Sequence, residues 1–561
     1  MKTTYAYDRY YRYDELTAVL QGYARDYPDL ARLTSLAATP GGREVWLLEL
    51  TDTAAGDFEE KPGYYLNGHV HAGEVTGSMC VLYFLDYMLT NREDPEVCGL
   101  LKNVTFYAVP RSVPDGAEYY LTTPGTVRSF CRPWPPVGEA SGVVPRDLDG
   151  DGVIRKMLVP SPYGVWKKAQ DDPRVLVKRR PDEAEGTFYN VYDEGVPEGW
   201  EGGDLQPAPP VYGLDLNRNF PMGWVTNDKL PSSGVYPLDQ PESRALAAFS
   251  AAHPNICSAI VYHTYSGIYL YPPGIKSRAE ADPEDMARYD AVNDIVRETT
   301  GFTPLCLKDD FTGDSTDSGC TDDFLHFGLG VFNYSVECWD LWARCGIDLP
   351  FPNFGAASDR EGEEWCRKLY RWADQNGLGE YILDWTPFDH PQLGRVELGG
   401  VDSKRLLQNP PPRFLPEEVE KHTRFILRHA RTLPRLVIRQ VKTTPLGGGL
   451  YRVEAFVCNA GYMPTQGLNE FLKSGLCRDV TVELSGGDLR FADGAPVREI
   501  GQLEGFSGVN SRYSFFGVDT APHNPAEKKV SWIVAADGPA TLTVTARSQR
   551  AGTVRQQISL P

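Results

Sequence analysis

The sequence predicts an α/β core followed by an all-β region, and three observations support this. Short apolar runs alternate with helix-periodic segments as far as Leu433, the pattern of strands joined by helices. From Pro434 the chain consists of short β-rich runs separated by Gly, Pro and Asn turns, which favours a small antiparallel sandwich. Hydrophobic residues make up 41% and charged residues 24%, enough apolar mass for large cores and too much for a disordered chain.

The elements of the α/β part can be placed in order along the chain. Residues 14–26 carry Leu16, Val19, Leu20 and Tyr23 on one helical stripe, so the first helix is predicted there. The further predicted elements are a strand from Gly42 (GREVWLLELT), a strand ending near Gly68 (KPGYYLNGHV), a helix from Val75 to Leu89, a strand over Val104–Pro110, a helix from Pro241 (PESRALAAFSAA), strands over Ile256–His263 and Val331–Glu337, and two helices (EGEEWCRKLYRWAD and LPEEVEKHTRFILRHARTL), the second ending near Leu433.

A long segment, residues 120–212, interrupts this alternation. It is rich in Pro, Gly and charge with weak periodicity, and loops of this length are usually functional or act as lids. We therefore expect a domain of residues 1–433 that contains an insertion at about 120–212, and a β-sandwich domain of residues 434–561. Two roles stay open for the sandwich. One is to bind a partner or a saccharide, and the other is to serve as a packing or folding accessory.

Charge and cysteine usage exclude several classes of protein. Lys and Arg number 56 and Asp and Glu 76, so the net charge is 56 − 76 = −20, which argues against nucleic acid and anionic membranes as partners. No apolar run is long enough to span a bilayer, and the polar N-terminus lacks the apolar core of a signal peptide. We expect a cytoplasmic protein, secreted only if the N-terminus is already processed. Eleven cysteines without a CxxC pair indicate neither a disulfide framework nor a thiolate zinc site.

A candidate metal site follows the strand that ends near Gly68. The segment NGHVHAGEV places His71 and Glu74 three residues apart at a strand-to-helix turn, where both side chains can face one ion. Zinc takes N and O ligands, and a catalytic zinc keeps one position for water. His263, at the end of ICSAIVYH, is the best third ligand. The set His69, His71 and His263 is an alternative, because residues two apart on a strand face the same side; ordinary polar residues at strand ends are the plainer interpretation.

Two further segments carry chemistry-bearing residues at the ends of apolar runs. Glu337 in YSVECWD is flanked by apolar residues, which favours an ion pair or a general base over a solvated charge. Asn217 and Arg218 end a short apolar stretch in GLDLNRNFP, and Arg is well suited to bidentate carboxylate binding. Taken singly, each of these signals is more often structural.

Together these segments resemble the zinc metallocarboxypeptidases of the carboxypeptidase A/B type, in family order over most of residues 5–345. The motifs that carry the resemblance are GHVHAGE, HTYS, GLDLNRNF, YSVECWD, VPDG and GREVW. HPQLGRVELGG, from His390, resembles a stretch in large bacterial members, which often carry a β-rich C-terminal domain. The resemblance implies a mixed sheet flanked by helices, one Zn²⁺ per chain and peptide substrates with a free C-terminal carboxylate.

The resemblance also implies residue roles. Zinc would lie on His71, Glu74 and His263, and Glu337 would be the catalytic glutamate. Asn217 and Arg218 would grip the terminal carboxylate of the substrate, which restricts cleavage to the last residue. Asp322, in GCTDDF, falls at the family's pocket-floor position, where an aspartate pairs with Lys or Arg. The resemblance therefore favours a preference for basic residues, unless Asp322 turns away from the pocket.

Two further assignments concern residues 146–180. An oxyanion arginine should precede Asn217, and Arg155 in VIRKM is the best match, ahead of Arg146, Arg179 and Arg180. Just before it, DLDGDGVI places Asp147, Asp149 and Asp151 as in the first half of a calcium loop. Position twelve of that loop is Leu158 rather than Glu, so a tight turn is the alternative. If Ca²⁺ binds there, it would rigidify the loop that presents Arg155.

The sequence departs from the family pattern at two positions. Gly73 stands where pancreatic-type enzymes have a substrate-docking arginine, and the mobile capping tyrosine would fall near Ser315. The first departure keeps open a peptidase for cell-wall peptides with D- or γ-linked residues. A non-catalytic peptide-binding protein on the same scaffold is the alternative from another class. The expected function is zinc-dependent removal of the C-terminal residue of peptides.

Overall fold

The structure is a computed structural model of the 561-residue chain. It describes residues 1–134, 141–313, 318–351, 358–487, 489–492, 494–508, 513–514, 517–518 and 526–560. Among these residues no helix combines the length and the apolar character needed to cross a membrane.

A mixed eight-stranded sheet forms the centre of the fold, as the sequence predicts. Its inner strands run parallel: Gly63–Asn67 pairs with Thr105–Val109 and Ile256–Thr264, and the latter pairs with Phe332–Cys338. The spatial order is Ala31–Ala38, Glu44–Leu50, Thr105–Val109, Gly63–Asn67, Ile256–Thr264, Phe332–Cys338, Ile268–Tyr271 and Thr303–Cys306.

Helices cover both faces of this sheet because its inner strands are apolar on both sides. Along one strand Tyr64 and Leu66 join one buried cluster while Tyr65 joins another, as the two-residue period of a strand requires. Leu85 and Phe425, on helices, belong to the first cluster. The helices of at least eight residues are Tyr13–Asp26, Thr76–Thr90, Pro95–Asn103, Pro114–Thr122, Pro241–Ala252, Pro283–Thr300, Asp359–Gln375 and Leu415–His429; shorter ones are Thr321–Asp323, Leu341–Arg344 and Asn469–Lys473.

The predicted insertion contains short strands that its sequence pattern does not reveal. A six-stranded antiparallel sheet combines them with a hairpin from far along the chain, and the strands are only three to nine residues long. Because the strand Lys156–Pro160 pairs with the hairpin strand Gly394–Val401, with Leu158 opposite Glu397, local periodicity gives no signal for this pairing. In spatial order the six strands are Ile382–His390, Gly394–Val401, Lys156–Pro160, Tyr189–Asp193, Trp166–Lys168 and Leu176–Lys178, with Gly142–Pro145 and Gly195–Glu198 as a separate pair.

The C-terminal region is strand-rich, as predicted. Two four-stranded antiparallel sheets share one buried cluster that includes Val453 and Trp532 from one sheet and Val482 and Val544 from the other. The first sheet contains Leu436–Gly447, Leu450–Asn459, Glu527–Ala535 and Arg490–Phe491; the second contains Val497–Glu499, Thr481–Ser485, Ala540–Ser548 and Gly552–Leu560; Tyr513–Ser514 and Gly517–Val518 form a further pair.

One buried arginine joins this region to the α/β part. Arg550 is 1% exposed, and its guanidinium donates to the carbonyl oxygens of Leu329, Gly330 and Pro254. These carbonyls immediately precede Phe332–Cys338 and Ile256–Thr264, so the guanidinium satisfies the backbone at the amino ends of two central strands.

Candidate metal centre and substrate pocket

The carboxyl ends of three neighbouring parallel strands bring the predicted site residues together. The segment from His69 to Thr76, called the zinc loop below, follows Gly63–Asn67. His263 lies near the end of the next strand, and its register partner on the strand beyond is Glu337. Functional side chains of α/β sheets collect at this edge because the loops that follow the strands all leave from it.

His71, Glu74 and His263 form one compact, buried group. The Nδ1 atoms of His71 and His263 are 3.2 Å apart. Glu74 approaches both rings, with Oε1 2.9 Å from Nδ1 of His71 and Oε2 3.0 Å from Nδ1 of His263. Two nitrogens bound to one tetrahedral zinc at ~2.0–2.1 Å lie roughly 3.3 Å apart, so this spacing fits a shared ion.

The hydrogen bonds of His71 show which nitrogen is available. Its Nε2 lies 3.0 Å from Oδ1 of Asp215, so Nε2 carries a proton and, in the neutral ring, Nδ1 presents its lone pair to the group. Arg128 and His71 hold the pKa of Asp215 well below its usual range, although burial acts in the opposite direction. An ionised Asp215 therefore fixes the ring, and the donor set of two imidazoles and one carboxylate suits Zn²⁺.

His69, the alternative ligand, stands outside this group. Its Nδ1 donates to the carbonyl oxygen of His71, 3.0 Å away, which turns the ring from the centre. Burial lowers the pKa of His69 to about 3, so the ring is neutral. The structure thus favours Glu74 over His69.

Glu337 lies in the same pocket as the His71, Glu74 and His263 group. Burial raises the pKa of this carboxyl well above its ordinary value, and the nearby carboxylates of Glu74 and Asp322 add to that effect. A carboxyl with a raised pKa is suited to taking up and returning a proton near neutral pH.

The structure places Arg155, the predicted oxyanion arginine, outside the pocket lining and Arg128 within it. Arg155 is buried away from the pocket lining; its Nε is 3.3 Å from Asp151, and its Nη1 has no hydrogen bond among the described residues. Arg128 lines the pocket instead, with Nε donating to Asp215 at 2.8 Å and Nη1 3.7 Å from Glu74. Arg155 stands in the apolar-Arg-Lys context that the sequence prediction used, whereas Arg128 lies in TVRSF, a stretch of the same insertion that lacks this context.

Asn217 and Arg218, the predicted carboxylate grip, both line the pocket. Oδ1 of Asn217 accepts hydrogen bonds from the backbone N–H and the hydroxyl of Thr321, at 2.8 and 2.7 Å. These two bonds set the orientation of the Asn217 amide, with its oxygen towards Thr321 and its NH₂ group on the other side. Nη1 of Arg218 donates to the carbonyl oxygen of Asn217, 2.8 Å away, so the two residues are held as one unit.

Asp322 also lies in the pocket, as the pocket-floor prediction requires. The hydroxyl of Ser335 donates to its Oδ1 at 2.5 Å, and both residues are buried. The cavity measures about 290 Å³, and Leu270, Leu307 and Phe311 supply its apolar surface. A carboxylate combined with apolar walls suits a side chain that has an aliphatic stem and a cationic end.

Tyr265 is a pocket residue for which the sequence predicts no role. Burial and the neighbouring Glu337 raise the pKa of its phenol, so the hydroxyl stays protonated and can donate. The sequence feature that points to Tyr265 is its position two residues after His263, in the turn that follows the strand. Ser315, near the expected place of a capping tyrosine, lies outside the described residues.

Gly73 lacks a side chain for a steric reason. A Cβ at this position would lie 2.7 Å from the amide atoms of Gln408 and 2.8 Å from the ring of Tyr120. A segment from far along the chain thus lies beside the zinc loop, and a side chain at position 73 would require Gln408 and Tyr120 to move.

The acidic loop, residues 147–155, gives the calcium prediction no support. The structure groups Asp147 and Asp149 with Glu194, while Asp151 pairs with Arg155. Both Asp147 oxygens accept backbone N–H groups within the loop, and both Glu194 oxygens accept them from its two ends, Leu148 and Arg155. The carboxylates therefore hold the turn itself, which is the alternative that Leu158 suggested.

A third group, Cys80, Cys338 and His422, is buried behind the zinc loop. Nδ1 of His422 lies 2.8 Å from the hydroxyl of Tyr269, and its Nε2 lies 3.2 Å from Oε1 of Glu418. Both ring nitrogens are engaged, so this histidine offers no lone pair to a metal.

Fold and site together define an α/β metalloprotein with a His-Glu-His centre in a substrate-sized pocket. A family model described as zinc carboxypeptidase matches residues 16–342, and the chain belongs to this family. A second family model, a domain of unknown function, matches residues 435–559.

Individual relatives match shorter stretches. A zinc carboxypeptidase of Saccharothrix mutabilis subsp. capreolus is 31% identical over 140 residues, covering 25% of this chain and 32% of the relative. Carboxypeptidase B of Astacus astacus is 34% identical over 113 residues, covering 20% and 35%. The alignments thus span about a third of these relatives' lengths. Carboxypeptidase A of Helicoverpa armigera, a solved structure, is 16% identical with a TM-score of 0.38, covering 66% of this chain and 74% of that one.

Proposed function

We propose that this chain is a zinc-dependent carboxypeptidase that hydrolyses the C-terminal residue of peptides and prefers Lys or Arg there. The observation that carries the proposal is the convergence of His71, Glu74 and His263 in the pocket that also contains Glu337 and Arg218. Metal-binding atoms, a proton-transfer group and a carboxylate-binding cation are the parts that this hydrolysis needs.

The carboxylate grip would set the position of cleavage. Arg218, coupled to Asn217 by a hydrogen bond, offers a charged donor to the terminal carboxylate of a peptide. Peptides without a free terminus lose this ion pair, and an internal peptide bond is not held in place. The arrangement therefore favours an exopeptidase over an endopeptidase.

Three parts of the site would share the chemistry. His71, Glu74 and His263 would hold zinc, which would supply a Lewis acid able to polarise the scissile carbonyl and lower the pKa of a water. Glu337 accepts the proton of the attacking water on its carboxylate and returns it to the leaving amine. Arg128 faces the group with its side chain 44% exposed, and its guanidinium would stabilise negative charge that develops on the carbonyl oxygen.

Asp322 would set the side-chain preference. Its carboxylate is buried and hydrogen bonded to Ser335, and apolar side chains line the same cavity. A lysine or arginine side chain can bury its stem against these walls and pair its charge with Asp322.

The test is residue release from blocked peptides that end in Lys, Arg, Phe, Leu, Glu or a D-residue, each with and without a zinc chelator. We expect chelator-sensitive release of Lys and Arg, and no release from peptides with an amidated terminus. Release of Phe or Leu in place of Lys and Arg would overturn the basic preference and keep the mechanism.

A peptidase for D- or γ-linked peptides is the second candidate, because Gly73 leaves the docking position without an arginine. Release of only the D-residue would favour it. A protein that holds one zinc and binds these peptides without cleaving any of them would instead be the non-catalytic binding protein.

A further inference from the structure

The segment from Asp402 to Pro411 packs against the zinc loop although it lies outside the stretch that matches the zinc carboxypeptidase family, residues 16–342. None of its residues lines the pocket. Its contacts with the zinc loop are nevertheless specific and buried.

Asn409 makes the central contacts and is 2% exposed. Its Oδ1 accepts hydrogen bonds from the backbone N–H and the hydroxyl of Thr76, at 3.1 and 2.8 Å. Its Nδ2 donates to the carbonyl oxygen of Gly73, 2.8 Å away. Gly73 and Thr76 flank Glu74, so one amide group clamps the backbone on both sides of this metal-binding residue.

Asn409 adds to the backbone hydrogen bonds of the zinc loop, in which the N–H of Ala72 donates to Arg128 and the N–H of Glu74 donates to His71. Thr76 is the first residue of the helix Thr76–Thr90, and the N–H groups of a first helical turn have no partner within the helix. The N-cap residue, Val75, has no side chain that could accept one. Asn409 performs this capping from 333 residues away.

Asn409 is in turn held firmly by its own segment. Asp402 caps the following turn through the N–H groups of Lys404 and Arg405. Nζ of Lys404 donates to three carbonyl oxygens, those of Tyr120, Thr123 and Gly125, at 2.7, 2.8 and 3.0 Å. These hydrogen bonds hold the segment that carries Asn409 in place, so the position of the Asn409 amide is fixed.

We propose that Asn409 is a positioning residue that fixes the zinc loop so that Glu74 meets His71 and His263 in metal-binding geometry. The proposal rests on the proposed zinc function. Supporting residues around a metal site orient its ligands, and their loss typically costs about 10–100-fold in metal affinity or activity.

The test compares the zinc affinity of full-length variants by competition with a chelator. We expect Asn409→Ala to bind zinc about 10–100-fold more weakly than the wild type. Asn409→Asp keeps the acceptor for Thr76 and loses the donor for Gly73, so its affinity should fall between the two. In cobalt-loaded protein, the visible absorption bands of Asn409→Ala should shift because the ligand geometry changes.

Asn255→Ala is the matched control. Asn255 is 3% exposed, and its Nδ2 donates to two backbone carbonyls and to the hydroxyl of Tyr107, much as that of Asn409 does to Gly73, Lys404 and Tyr120. It lies at the opposite end of the strand that carries His263. Its loss should lower the melting temperature and leave the zinc affinity unchanged.

The outcomes separate the two proposals. A wild-type protein that binds no zinc overturns the proposed function, whereas equal zinc affinity of the wild type and folded Asn409→Ala overturns only the positioning role. If Asn409→Ala does not fold, Thr76→Val removes one of the same hydrogen bonds with little change in volume. Unchanged affinity and cobalt spectrum in Thr76→Val would then contradict the proposal.

Discussion

The His71, Glu74 and His263 group and the acidic loop group of Asp147, Asp149 and Glu194 each bring three metal-binding side chains within reach of one another. They differ in what the lone pairs face. In the first group the imidazole nitrogens and the carboxylate face one another across about 3 Å, an arrangement that a shared cation would stabilise when Nδ1 of His71 is unprotonated. In the acidic loop, backbone N–H groups already occupy the carboxylates.

The same contrast separates two arginines. Arg128 lines the pocket beside the first group, whereas Arg155 forms an ion pair with Asp151 beside the second. A run of residues of metal-binding type therefore indicates a functional site only when neighbouring groups do not already occupy their hydrogen-bonding atoms. The predictions below test this difference, from the largest expected effect to the smallest.

Glu337→Gln should give the largest loss while the metal group stays intact. Loss of a general acid–base group lowers kcat by about 10²–10⁴-fold. Zinc content, measured by mass spectrometry on the same sample, should stay at one per chain because Glu337 is not in the ligand group. Retained activity with retained zinc would show that proton transfer runs through another residue.

The arginine pair tests the contrast directly. Arg128→Ala should lower kcat/KM by about 10²–10³-fold, the cost of losing one oxyanion-stabilising donor. Arg155→Ala should leave kcat/KM unchanged and lower the free energy of unfolding by about 0.5–3 kcal/mol, because it loses a buried side chain. A reversed pattern, with activity lost only in Arg155→Ala, would restore the assignment that the sequence favours.

Asp322→Asn probes the substrate side of the pocket. The substitution keeps an acceptor for Ser335 and removes the charge, so release of Lys and Arg should fall by about 10- to 100-fold relative to Leu. The measurement is the ratio of kcat/KM for peptides that end in Arg and in Leu. An unchanged ratio would mean that Asp322 does not face the substrate side chain.

The acidic loop should give the smallest effect. The melting temperature of the wild type should be the same in millimolar calcium as in a calcium chelator, because the loop carboxylates are already hydrogen bonded. Asp147→Asn keeps the shape of the side chain and should behave in the same way. A rise of several degrees in calcium, lost in Asp147→Asn, would establish a calcium site after all.

The sequence is informative where a site is local and less so where it is assembled from distant segments. His71 and Glu74 are three residues apart, and the apolar strands before His263 and Glu337 end at the site, so both can be found without a structure. Arg128 has no regular spacing to the other site residues. Its place depends on how the polypeptide crosses the pocket edge, which no local pattern encodes.

The fold prediction misses an exposed edge strand and several pairings between segments that lie far apart along the chain. The strand Ala31–Ala38 is at the sheet edge and half exposed, so its sequence, ARLTSLAA, lacks an apolar run. Strands of the insertion pair with Gly394–Val401, and their short length gives little periodicity. The contact of Asn409 with the zinc loop joins residues 333 positions apart.

Arg550 is synthesised long after the backbone carbonyl groups to which it donates. The carbonyl oxygen of Gly330 leaves the ribosome 220 residues before the guanidinium that satisfies it. At about 5–20 residues per second, that interval lasts roughly 10–40 s. Throughout it the carbonyl oxygens at the amino ends of two central strands lack the donor that the completed chain supplies. Nascent chains halted before residue 550 should therefore associate with chaperones more strongly than completed ones.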